Sequence, residues 1–187
     1  ALIKGAKSQK ITSLDIGGTL SLGSGASATF AAASSAGSLS LNDAALLTAN
    51  GDLTVSNPGG TSMTYAAPGT ATIDVAADKV VSIGKVDDGA QAVTLVKTGA
   101  GRLSLNDANN VMSSSTLKAS GGTMSVFGNT AGSSADEADI TLDGGTFRVE
   151  AEAEFFRGLE ARYYSASLTT FYVGGDDRAE EFVDEAT

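Results

Sequence analysis

The sequence predicts an all-β chain wound as a parallel β-solenoid, and three observations carry that expectation. The hexapeptide LSLNDA stands at 39–44 and again, letter for letter, at 103–108. The copies are 64 residues apart, close to three turns of about 21 residues each. A looser motif, Gly-x-apolar-x-apolar, recurs with leading glycines at Gly18, Gly37, Gly51, Gly101, Gly122 and Gly145, and more weakly at Gly69. Only two prolines occur, which suits a regular ladder because proline cannot donate to one.

Each copy of the motif has the same physical content. Glycine permits the corner that turns the chain. The two apolar residues, two apart, point to one face of a strand, and the Ser, Thr, Asp or Arg between them points to the other. The seven glycines are separated by 19, 14, 18, 32, 21 and 23 residues, about one strand per twenty. The long gap holds two further strand-like runs, 79–83 and 92–96, and has room for an extra turn. A unit this short cannot bury its own apolar face and must stack on neighbours. The rival, a β-sandwich, needs hairpin signals, and Asn50-Gly51 is the only two-residue one.

Taken in order, residues 1–13 read as a small basic N-terminal arm or partial first coil, with Lys4, Lys7 and Lys10 three apart. Residues 14–149 are the expected solenoid of six to eight coils. At about 4.8 Å between paired strands it is roughly 30–40 Å long. Leu20, Leu22, Leu39, Leu41, Leu53, Val55, Leu103, Leu105, Met124, Val126, Phe147 and Val149 are expected inside it. The segment 31–36 lacks a helical period and reads as a loop or tight corner. Asn57-Pro58-Gly59-Gly60, Ala67-Pro68-Gly69 and Asp87-Asp88-Gly89 read as turns. The two LSLNDA copies place Asn42 and Asn106 at equivalent corners, where their amides would bond the neighbouring coil.

Within this stretch, Val96-Lys97-Thr98-Gly99-Ala100-Gly101, then Leu103-Ser104-Leu105, then Ala108-Asn109, resembles the autotransporter-associated β-strand repeat. That repeat has a K-T-G-x-G-x-L-x-L-x-x-x-N core and a second glycine-led strand, here Gly121-Gly122-Thr123-Met124-Ser125-Val126. The likeness is good over 95–149 and faint over 14–75, where the lead is missing. It implies a right-handed parallel β-helix of a secreted or surface protein of bacteria, serving as scaffold without an active site. This chain has one good repeat where such proteins have many, and it lacks their outer-membrane barrel.

Residues 150–187 differ in composition: ten acids against three arginines, and seven of the eleven aromatics. The pairs Phe155-Phe156, Tyr163-Tyr164 and Phe171-Tyr172 recur every eight residues. The segment reads as a C-terminal aromatic, acidic β cap or as an assembly surface. In the second case Lys4, Lys7 and Lys10 form the opposite side of a head-to-tail contact, because opposite charges at the two ends favour an open polymer.

Composition excludes several chemistries. Without histidine or cysteine there is no Ser-His-Asp or Cys-His catalysis, no disulfide and no zinc–thiolate site. The net charge of −10 argues against nucleic acid, and no apolar run is long enough for a spanning helix. Polysaccharide-cleaving β-helices use grooves lined by several acidic and basic groups; here Lys97, Arg102 and Lys118 fall near Asp107, and they are expected at surface positions. No enzyme and no cofactor is expected. Asp87, Asp88, Asp176 and Asp177, and the acids at 136, 137 and 139, are weak calcium candidates, since paired aspartates more often form solvated turns. No N-glycosylation sequon occurs, while O-linked sugar and contact with a glycan or cell surface stay open. The first residue, Ala1, is consistent with cleavage after a signal peptide. Two functions fit: a secreted, self-assembling filament subunit of the cell surface, or a fragment of an adhesin-like passenger displaying a binding surface.

Overall fold

Alternation of inward apolar and outward polar side chains builds strands of the tube such as Ser27–Phe30, Leu53–Val55 and Gly69–Val75. In the computed structural model, which describes residues 1–5, 7–107, 109–127, 138–150 and 171–174, the chain forms strands and turns with no helix among the described residues. The strands are β1 (Leu2–Ile3), β2 (Ser8–Ile11), β3 (Asp15–Leu22), β4 (Ser27–Phe30), β5 (Ser34–Leu41), β6 (Leu46–Ala49), β7 (Leu53–Val55), β8 (Met63–Tyr65) and β9 (Gly69–Val75). They continue as β10 (Val80–Ile83), β11 (Val86–Asp87), β12 (Val93–Thr98), β13 (Arg102–Leu105), β14 (Ser115–Ala119), β15 (Thr123–Phe127), β16 (Asp139–Leu142), β17 (Thr146–Glu150) and β18 (Phe171–Gly174).

All pairings are parallel, as a solenoid requires and a hairpin sandwich forbids. One sheet stacks β2-β4-β6-β9-β12-β14-β16. The other stacks β1-β3-β5-β7-β10-β13-β15-β17-β18, with β8 and β11 branching from it. The rungs from β3 to β17 enclose six turns. Ladder partners lie 19 residues apart at Ser8, Ser27 and Leu46, and 28 apart at Leu53 and Val81.

The branching gives the tube three faces. β5 is long enough to pair with two successors: Ser34, Ser35 and Ala36 with β7, and Leu39, Ser40 and Leu41 with β8. β7 and β8 are separated by residues 56–62, a loop closed by Gly60 N donating to Asn57 O (2.9 Å) and Asn57 N to Ser62 Oγ (3.0 Å). The second face therefore continues through β7, β10, β13, β15 and β17, and the third through β8 and β11. This revises the glycine reading. Gly18 and Gly37 lead third-face strands, Gly51, Gly101, Gly122 and Gly145 lead second-face strands, and Gly69 opens a strand of the first face. The 32-residue gap does hold an extra turn, made of β10, β11 and β12.

The LSLNDA copies are likewise not equivalent. Leu39 aligns with Leu20 and Met63 on the third face, whereas Leu103 aligns with Val81 and Met124 on the second. Asn42 Oδ1 accepts from Asp43 N (2.8 Å), and Asn106 Oδ1 accepts from Ser104 Oγ, so among the described residues neither amide makes the expected bond to a neighbouring coil. Coil-to-coil side-chain bonds come instead from Asp43, which accepts from Thr70 N (2.9 Å), from Asp52, which accepts from Val80 N (2.9 Å), and from Asn110, which accepts from Val86 N (2.7 Å).

Every residue expected inside is buried, from Leu20 to Phe147, apart from Val149, whose side chain lies outside the described residues. Columns mix sizes so that coils interdigitate: Ile11, Phe30, Ala49 and Val75 stack in one, with alanine beside the ring. The segment 31–36 joins a corner to the first part of β5. Within residues 1–13, expected as an arm or partial coil, β1 and β2 lie in the ladder. Leu2 and Ile3 pair with Ser21 and Leu22, the Ala1 ammonium donates to Thr19 O (2.7 Å), and β2 pairs with β4. Ile3, Ile11, Leu14 and Ile16 pack half-buried against the core from this end.

Candidate functional site

The K-T-G-x-G segment is where the structure concentrates its buried polar chemistry. Along β12 the residues Val93, Leu95 and Lys97 share the inward register, so the lysine enters a column of Leu47, Ile73, Ala119 and Leu142. Lys97 is 0% exposed, which overturns its expected surface position. Its alkyl stem suits the core, and small Ala119 on the next rung leaves it room. Its ammonium donates to Thr98 O (2.5 Å), Gly99 O (2.8 Å) and, across the coil boundary, Gly121 O (3.1 Å). Those three bonds use all three N–H donors of an ammonium.

The rest of the motif serves the same corner. Thr98 Oγ1 donates back to Asp74 Oδ1 of the preceding coil (2.9 Å). Gly99 holds φ +75°, and a methyl there would sit 2.7 Å from Asp74 Oδ1. At Gly101 a methyl would sit 2.6 Å from Lys79 O and 2.8 Å from Val75 Cγ1.

Burial pushes the Lys97 ammonium down to about 8, partly offset by the Asp74 carboxylate. Its folded value lies below the unfolded one, so between about pH 8 and 10.5 the unfolded chain binds more protons. Stability from this group therefore rises with pH across that window, by an amount on the order of a few kcal/mol. Urea midpoints from pH 8 to 9.5 should climb for the natural chain relative to Lys97→Met. Parallel slopes for the two proteins would show that Lys97 does not titrate in the fold.

Asp88 is the second buried charge, 0% exposed. Its Oδ1 accepts from Ala90 N (2.9 Å), and its Oδ2 from Ser114 N (2.8 Å) and Ser115 Oγ (3.0 Å) of the following coil. Burial, helped by the Asp88 carboxylate, pushes the Tyr65 hydroxyl well above its usual range, and that hydroxyl has no hydrogen-bond partner among the described residues. Of the calcium candidates, Asp87 accepts from Gly89 N (2.9 Å), and both oxygens of Asp88 are engaged by the protein. Asp176 and Asp177, with residues 136 and 137, lie outside the described residues; Asp139 begins β16. Among the described residues no three acidic, histidine or cysteine groups converge as a metal site.

The cluster considered for polysaccharide cleavage is dispersed. Lys97 points into the core, and Lys118 pairs with Asp143 (2.8 Å), whose carboxyl is held below its usual range by Lys118. Asp107 closes its own turn by accepting from Asn109 N (2.7 Å). Of the assembly residues, Lys4, Lys7 and Lys10 are exposed along the first rung. Phe171 and Tyr172 lie on β18, opposite Phe147 and Arg148. Phe155, Phe156, Tyr163 and Tyr164 lie outside the described residues.

Between the second and third faces, one corner carries turns of unequal length. They are a bulge at Gly17-Gly18 within β3, the loop of residues 56–62 and the pair Gly84-Lys85. Comparison of the chain with family models, with curated proteins and with solved structures found no match.

Proposed function

We propose that the chain is a non-enzymatic structural protein of the bacterial cell exterior, secreted and assembled head to tail into a filament or surface fibre. The observation that carries this reading is the open parallel ladder. Among the described residues, β1 and β2 have a strand partner on one side only, with the half-buried Ile3, Ile11, Leu14 and Ile16 behind them. Such an edge is a template for a further coil. Exposed Lys4, Lys7 and Lys10 at that rung and the excess of acids in 150–187 favour joining unlike ends. The resemblance of 95–149 to autotransporter-associated repeats supports the extracellular setting.

The unequal corner turns favour a second reading, in which the solenoid belongs to a longer passenger or adhesin and displays a binding surface. Loops on a rigid scaffold are where recognition is commonly built. Electron microscopy and sedimentation of the intact chain separate the two. Filaments are expected from the natural sequence, and the triple variant Lys4→Glu, Lys7→Glu, Lys10→Glu should leave a folded monomer. Charge reversal is a cleaner test than deleting residues 1–10, which would strip β1 from Ser21 and Leu22. A natural chain that stays monomeric at high concentration would exclude the filament and leave the display reading.

A further inference from the structure

We propose that the Thr98–Gly99–Gly121 corner is a carbonyl-lined site for a monovalent ammonium-type cation, filled from within by Lys97 and clasping one coil to the next. Three carbonyl oxygens, two from one coil and one from its successor, converge on a single cationic centre. Carbonyl rings of this kind replace the hydration shell of a monovalent cation. The column neighbours of Lys97, Ile73 and Ala119, offer its ammonium no side-chain acceptor, and the residue is 0% exposed. A buried charge is tolerated only when its hydrogen-bonding capacity is met, and here it is met by backbone alone. The nearby carboxylate, Asp74, is engaged by Thr98 Oγ1.

The glycines show why the cage can form. A methyl at Gly122 would sit 2.8 Å from Ala100 C, and one at Gly121 would sit 3.3 Å from Gly99 O. The two corners are thus stacked backbone on backbone, which brings Gly121 O within reach of a cation lodged at Gly99. Lys97 acts here as a tethered ion. Its identity matters less than the presence of a small N–H-donating cation at that point.

The inference is tested by cutting the tether. Lys97→Ala removes the ammonium and vacates the space of its stem, and its melting temperature should fall well below that of the natural chain. Methylammonium or ammonium chloride should then raise it with the logarithm of concentration, as mass action requires, while sodium chloride at equal ionic strength should not. If the variant does not fold in sodium, refolding on addition of methylammonium is the same positive result. Failure to refold in any cation, or an equal response to all three salts, overturns the proposal. Lys97→Met keeps the stem but cannot donate. It should melt below the natural chain and ignore methylammonium; a melting temperature equal to the natural one would show that the carbonyls need no cation.

Discussion

Leu105→Asp is expected to lower stability by about 4 kcal/mol or more, enough to unfold a marginally stable domain, because it buries an unpaired carboxylate. Leu105 is 0% exposed and is held between Ile83 on the preceding rung and Val126 on the next, so the new charge would meet apolar side chains on both sides. Thr123→Asp changes the same kind of strand in the outward register and should cost about 1 kcal/mol or less, as surface changes usually do. Urea denaturation of the two variants reads the difference. Equal losses would mean that the inward and outward registers of the second face are wrongly assigned.

The second large effect separates two glycines that the sequence motif treats alike. Gly101→Ala should destabilise by about 2–4 kcal/mol, in the range of overpacked cores. A methyl there runs into Lys79 O and Val75 Cγ1 from the rung below, and the carbonyl belongs to a ladder that cannot move alone. Arg102 N, next in sequence, already donates to that same Lys79 O (2.9 Å). Gly18→Ala, by contrast, meets nothing within 4 Å and carries no positive φ. It should be neutral or stabilise by a few tenths to about 1 kcal/mol through the unfolded chain's lost freedom. Thermal melts that ranked Gly18→Ala as the more damaging would refute the close coil contact at Gly101.

What was legible in the sequence follows from local physics. Alternation at Leu20-Leu22, Leu53-Val55 and Leu103-Leu105 needs only the two-residue period of a strand, and all six side chains are inside. The turn count came from spacing, which survives changes in corner shape. The third face was not legible. It arises because β5 pairs with two separate strands, and a pairing choice between residues 19 and 24 positions apart leaves no local mark. LSLNDA shows the limit most clearly: six identical residues make a strand and a turn in both places, yet their neighbours in the tube decide which wall they join. Lys97 was legible in principle. Val93, Leu95 and Lys97 alternate without interruption, and only the habit of placing lysine outside hid the register.

The stacking of turns along one axis also fixes how the molecule would respond to tension. Hydrogen bonds between rungs run along the tube, so a load applied at its two ends acts on one boundary at a time and peels coils in sequence. Each release frees one perimeter of chain, 19 residues between Ser8 and Ser27 and 28 between Leu53 and Val81. At about 3.4 Å per extended residue that is roughly 65 to 95 Å of slack per step. Stretched singly, the chain should therefore lengthen as a staircase of unequal treads, with the boundary clasped by Lys97 among the last to yield.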